Sequence, residues 1–193
     1  MSRTRWIAVP ALVILLAVAC GESGEDSVGG RAPSPAETAT TAPPSGTQRY
    51  ESSEFGFTLD YPQGWTVNDQ PGVAALLVNQ ASAQDGFAES MNVVTEDLPG
   101  EIPLDDYTEA TIRNLEEGFG EIEVIEEGPT TVGDLDAHSI EYRAVQQGQT
   151  LTFLQKWFVE GTTAFVLTYT GHEEGFEELR SEAESIMESF RLT

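Results

Sequence analysis

Cysteine is nearly missing from this chain: among 193 residues, Cys20 stands alone. That excludes a disulfide framework, and it excludes a zinc site built on two or more thiolates. Positive charge is scarce too. Nine Lys+Arg face 33 Asp+Glu, the formal net charge is −24, and Lys156 is the only lysine. A phosphate-binding surface needs clustered cations, so nucleic acid is excluded as a partner. No apolar run is long enough for a spanning helix, which needs about 20 residues. Local catalytic signatures are missing as well: there is no H-E-x-x-H, Walker loop, dinucleotide glycine fingerprint or G-x-S-x-G. A triad assembled from distant residues escapes this exclusion, because geometry rather than spacing defines it.

What is present suffices for one packed domain with extensions, since 39% of the chain is apolar. The N-terminus carries Arg3 and Arg5, and then Trp6 through Ala19 without a charge. A short basic region followed by a short apolar run predicts a secretory signal over residues 1–19. The run closes on Leu16-Ala17-Val18-Ala19-Cys20, which resembles a bacterial lipobox. The usual pattern has Leu where Ala17 stands here, and Leu16 lies one place earlier. Ala17-Val18-Ala19 is also an ordinary A-x-A cleavage site, cut at the same bond. The two readings differ in the fate of Cys20: lipid attachment, or a free terminal thiol. A lone thiol in an oxidising compartment is a liability, which favours attachment. Each buried methylene contributes about 0.8 kcal/mol, and stable anchoring takes more than one acyl chain. The resemblance implies two or three. Cleavage would also remove Arg3 and Arg5 and leave the mature chain two charges more negative than −24.

Residues 20–48 are mainly Gly, Ser, Thr, Ala, Pro and Glu, with Val28 the only sizeable aliphatic side chain. Such a segment buries too little to offset its conformational entropy, and it is expected to be a disordered tether. Its Thr/Pro content also suits O-linked sugar. Residues 49–193 are expected to form one domain.

Inside that domain Phe55, Phe57, Leu59 and Tyr61 alternate with polar or small residues, which predicts a half-buried strand. Pro62-Gln63-Gly64 predicts a turn, with strands near Trp65, over Val73 to Val78, and over Met91 to Thr95. From Leu104 to Phe119 the period becomes helical: Leu104, Tyr107, Ile112, Leu115 and Phe119 share a face. Strands near 122–132, 135–146, 149–159 and 162–170 are joined by Gly133-Asp134, Gln147-Gly148 and Glu160-Gly161, the mark of successive hairpins. Leu151, Phe153, Trp157 and Val159 point one way and Leu154 and Phe158 the other; Phe165, Leu167 and Tyr169 oppose Ala164 and Val166. Apolar residues on both faces predict that both are covered. A last helix near 173–190 carries Phe176, Leu179, Ala183, Ile186, Met187 and Phe190 in one stripe. The expected fold is α+β: a three-layer α/β/α sandwich, with a mainly antiparallel sheet flanked by helices.

The order Tyr50, Phe55-Gly56-Phe57, Tyr61-Pro62, Gly64-Trp65, then helix, meander and a terminal helix ending Ser189-Phe190-Arg191-Leu192, resembles the PsbP-like family. So does Val159-Glu160-Gly161 ahead of Phe165-Val166-Leu167-Thr168-Tyr169. The resemblance covers residues 50 to 193 and implies an antiparallel sheet flanked by helices. It further implies an accessory or protein-binding role, with no catalytic motif and no binding residue to carry over.

Candidate chemistry is sparse. His138 shares strand parity with Ile140 and Tyr142, which suits a packed or edge histidine more than a catalytic base. His172, between strand and final helix, suits local hydrogen bonding more than ligation. The acidic groups Glu116-Glu117, Glu121/Glu123, Glu126-Glu127, Asp134/Asp136, Glu173-Glu174 and Glu177-Glu178 lack the spacing of a calcium loop. They predict a solvated acidic surface. Trp65, Trp157, Tyr142 and Tyr169 suit a core more than a pocket. These readings lead to a non-enzymatic, extracytoplasmic lipoprotein of the cell membrane, anchored through Cys20. No cofactor is expected, and the partner would be a protein, a hydrophobic envelope molecule or a cation. The alternative is an extracytoplasmic hydrolase in which His138 or His172 meets a hydroxyl and a carboxylate across the fold.

Overall fold

The structure, a computed structural model, describes residues 46–83 and 87–193. The expected signal segment, Cys20 and nearly all of the expected tether lie outside the described residues.

Thr47–Ser52 (β1) and Phe57–Pro62 (β2) form an antiparallel hairpin. The strand begins inside the segment expected to be tether, because Tyr50 has partners: its ring packs 6.0 Å from that of Phe57 and its hydroxyl donates to the Ala74 carbonyl. Arg49 also pairs with Asp60 on the neighbouring strand at 2.7 Å. Arg191–Leu192 (β10) adds to the other side of β2, completing a three-stranded sheet in the order β1-β2-β10.

The larger sheet has seven strands: Trp65–Asn68 (β3), Ala75–Asn79 (β4), Ser90–Asp97 (β5), Glu123–Val132 (β6), Leu135–Gln146 (β7), Gln149–Glu160 (β8) and Thr163–Gly171 (β9). Their order is β3-β4-β5-β9-β8-β7-β6, with every pairing antiparallel. The expected four-strand meander is therefore β6 to β9, and β9 hands over to β5 on its far side. The three meander turns span two residues each, with Val132 facing Leu135, Gln146 facing Gln149, and Glu160 facing Thr163. The last turn is thus Gly161-Thr162, one residue later than expected. At Gln147-Gly148 both residues have positive φ, +51° and +85°, the combination that matches strand twist in a two-residue loop.

Leu104–Phe119 (α1) occupies the residues its periodicity predicts. Asp105 and Asp106 place negative charge at the positive end of the dipole. The helix stops at Gly120, whose N–H donates to the Glu116 carbonyl at φ +82°. Glu173–Glu188 (α2) follows β9 with only His172 between them.

Side-chain parity on β8 and β9 sorts the core as the alternation predicts. Leu154, Phe158, Phe165, Leu167 and Tyr169 join Phe176, Ala183, Ile186 and Met187 of α2, together with Phe57 and Leu59 of β2. Leu151, Phe153, Trp157, Ala164 and Val166 join Tyr107 and Leu115 of α1, with Ile140 and Tyr142 of β7. One apolar cluster thus includes residues of α2 and the other residues of α1. Two side-chain bonds tie the helices to strands: Trp157 Nε1 donates to Thr108 Oγ1 of α1 at 2.9 Å, and Trp65 Nε1 to Glu182 of α2 at 2.8 Å.

Candidate functional site

The four aromatic residues considered for a pocket are core. Trp65, Trp157, Tyr142 and Tyr169 are all essentially sealed from solvent. Burial pushes the Tyr142 and Tyr169 phenols well above the usual tyrosine range.

The histidines lie apart in the fold, on β7 and at the α2 entrance, and they do different things. His138 stacks on Trp157 with ring centroids 5.3 Å apart. Its Nε2 meets Glu127 Oε1 at 3.0 Å across the β6–β7 pairing. His172 occupies the N-cap position of α2 without a side-chain capping bond, and its ring meets Phe87 edge-on at 4.6 Å. The local hydrogen bond at this junction is made by the His172 carbonyl, which accepts from the Phe176 N–H, while the ring makes the aromatic contact. Neither ring has a hydroxyl partner among the described residues, so the constellation imagined for the hydrolase is not brought together at either position.

The acids do not converge. Among the described residues no group of three or more His, Cys, Asp or Glu is placed to hold a metal ion. Several cations are committed to acids: Arg49 to Asp60, Arg143 to Glu123 and Glu173, Arg180 to Glu141, Glu177 and Glu184, and Arg191 to Asp134. Of these acids Glu141 is the most buried, and its partner Arg180 also lies over the Phe176 ring.

Three places merit chemical attention. One is Glu89, a carboxylate only 3% exposed that enters beneath the first turn of α2 beside Gly171 and Gly175. Its Oε2 has no hydrogen-bond partner among the described residues. The orphan N–H groups at a helix start are the positive pole such a charge prefers. The second is a groove of about 320 Å³ between the β1–β2 hairpin and the β3–β4 loop. Tyr50 and Phe55 form apolar walls, Glu54 and Asp69 stand exposed, and Gln70 Oε1 is buried without a partner among the described residues. Such a groove can accept donors from a small polar or cationic group. The third is the outer edge of the large sheet. There β6 is exposed from Glu123 to Glu127, and its register slips between Val124 and Glu126, leaving Ile125 as a bulge.

Sequence reasoning named acids on β6 but neither the groove nor the edge. Asn68-Asp69-Gln70-Pro71-Gly72 is a strong turn cluster that could have marked the groove's loop. Edge position depends on strand order, which local patterning does not contain.

The DcrB family model matches residues 58–189. Among solved structures, cyanobacterial PsbP (CyanoP) from Synechocystis sp. PCC 6803 superposes with a TM-score of 0.60 at 18% identity, over 80% of this chain and 99% of that one. LpqN of Mycobacterium tuberculosis, described as involved in cell envelope biogenesis, gives a TM-score of 0.54 at 15% identity, over 76% and 91%. The yeast Ran-binding protein Mog1p gives 0.52 at 12% identity, over 76% and 95%. At these identities the likeness speaks for the fold, and it agrees with the PsbP-like resemblance. Among curated proteins no sequence matches.

Proposed function

We propose, from the premise that this chain belongs to the DcrB family, that it is a non-enzymatic accessory or binding protein held on the outer face of a membrane. Residues 1–19 direct export, a lipid on Cys20 anchors the mature chain, and the residues from 20 up to the start of β1 at Thr47 form the tether. At roughly 5–6 Å times the square root of residue number, that tether reaches roughly 30 Å. The domain it carries is a three-layer α/β/α sandwich; the two apolar clusters, one with α1 and one with α2, support that description.

The observation that carries the anchoring is the only cysteine, standing directly after a basic-then-apolar leader and Ala17-Val18-Ala19. The binding role is supported by company in fold space: a Ran-binding protein and a protein involved in cell envelope biogenesis share this fold. Fold does not fix function, so the role needs its own test.

Two measurements provide it. Intact-mass analysis of the membrane fraction should find Cys20 at the N-terminus carrying acyl chains, and Cys20→Ala should yield unprocessed precursor or soluble protein. An unmodified N-terminus in that fraction overturns the anchor. Cross-linking in intact cells should then recover one specific partner; recovery of abundant membrane proteins alone overturns the binding role.

A further inference from the structure

We propose that the free edge of β6 is a docking site for an extended, cationic segment of a partner protein, which pairs with it as an additional strand of the large sheet. The inference rests on the reading of the chain as a binding protein, and it names the surface and the chemistry of what binds there.

The edge is open. Strand order puts β6 at one end of the seven-stranded sheet, and among the described residues only β7 pairs with it. β6 runs ten residues, whereas β3 at the opposite end runs four and begins with the buried Trp65. An unpaired strand presents a row of backbone donors and acceptors, a ready template for another extended chain.

The same edge holds the exposed apolar surface. Among the described residues the large hydrophobic side chains left exposed are Val124 at 47%, Ile125 at 43% and Val145 at 62%. They belong to one end of the β6–β7 ribbon, where Glu123 faces Arg143 and Val124 faces Tyr142. Single exposed aliphatics are ordinary. Val124 and Ile125 are adjacent on the unpaired strand itself, where a partner strand's side chains would cover them, while Val145 lies two residues beyond the last β6–β7 pair.

Charge selects the occupant. Glu121, Glu123, Glu126 and Glu127 line this end. Arg143 reaches Glu123 at 3.4 Å and His138 meets Glu127, while Glu121 and Glu126 make no ion pair among the described residues. Edge glutamates and Pro129 are also how a sheet avoids pairing with its own kind. A second copy would set glutamate against glutamate in a molecule of net charge −24. A segment alternating Lys or Arg with aliphatic residues meets no such repulsion: its backbone pairs with β6, its aliphatics cover Val124 and Ile125, and its cations answer the unpaired acids. Pro129 lacks an N–H, so the docking stretch is Glu123 to Gly128.

The test uses the full-length chain in detergent and a synthetic peptide alternating valine and lysine. Two controls go with it: the same peptide N-methylated at alternate amides, and a valine–glutamate counterpart. The lysine peptide should bind saturably and slow hydrogen exchange over residues 123–128. Binding should weaken about tenfold or more between low and physiological salt, as screening predicts. The N-methylated and acidic peptides should not bind. Glu126→Lys, an exposed change that spares the fold, should weaken binding about tenfold, and the neutral Glu126→Gln should weaken it less. Equal binding of the N-methylated peptide overturns the proposal, as does protection elsewhere than β6, or binding indifferent to both substitutions. If these tests fail while cross-linking recovers a specific partner through another face, the docking site falls and the binding-protein reading stands. If cross-linking recovers no partner, that reading falls as well.

Discussion

Gly133 opens the β6–β7 turn at φ +57°, and the Phe190 carbonyl and Arg191 guanidinium crowd the space where a Cβ would stand. Two independent penalties therefore fall on Gly133→Ala: a left-handed backbone that suits glycine, and a collision with main chain that cannot rotate away. The expected loss is about 1–3 kcal/mol, read as a lower denaturant midpoint with an unchanged slope. A second residue carries a pH signature. Desolvation holds the Glu96 carboxyl above the usual carboxylate range, opposed by a hydrogen bond from the Tyr107 hydroxyl at 2.9 Å. A folded-state pKa above the unfolded one means the native state holds the proton more tightly. Its stabilising contribution is full in acid and is lost as pH rises through the folded value. Glu96→Gln keeps an acceptor for Tyr107 and removes the charge. It should be at least as stable as the parent at pH 7, with that advantage gone at pH 4; a variant clearly less stable at pH 7 would contradict this. The aromatic core was legible residue by residue, because Trp65, Trp157, Tyr142 and Tyr169 sit in apolar strands. The His138–Glu127 contact was not, since it runs diagonally across the β6–β7 pairing, in which His138 itself faces Pro129 and Glu127 faces Ile140.

Among the elements, α1 and the meander strands were readable almost to the residue, since period 3.6, period 2 and glycine-marked turns agree there. β1 and β10 were not. β1, with sequence Thr-Gln-Arg-Tyr-Glu-Ser, shows little apolar alternation. β10 has two residues and exists because β2 accepts it. Phe190 explains how this small sheet is held to the rest. Its ring stacks on Phe57 of β2 at 4.9 Å and meets Phe158 and Phe165 of the large sheet edge-on at 5.4 and 5.7 Å. Truncation should therefore act beyond its own volume. Phe190→Ala is expected to cost about 3–5 kcal/mol. Amide exchange should accelerate more in β1, β2 and β10 than in β8 and β9. Uniform acceleration across both sheets would show that Phe190 is ordinary core and not a link between them.

At the scale of the molecule, composition was the most legible property and topology the least. The excess of acid is plain from counting, but which acids meet cations depends on strand pairing and helix placement: Arg143 reaches Glu123 across β6–β7, and Arg180 of α2 reaches Glu141 of β7. The structure spreads the surplus over α1, β6 and α2 and gathers none of it into a metal-holding group among the described residues. Folding compacts a chain of net charge −24 and so raises its self-repulsion. Screening should relieve this: the Debye length falls from about 30 Å at 0.01 M to about 8 Å at 0.15 M salt, shorter than the span of the domain. The melting temperature should accordingly rise over that range, and NaCl and KCl should raise it equally. Calcium and magnesium at matched ionic strength should also agree with each other, because diffuse screening recognises valence and not coordination geometry. A rise specific to calcium and reversed by chelator would show that carboxylates do converge on a cation. A melting temperature indifferent to salt would show that the surface acids are already neutralised by local partners, and the cationic docking chemistry assigned to β6 would lose its electrostatic basis.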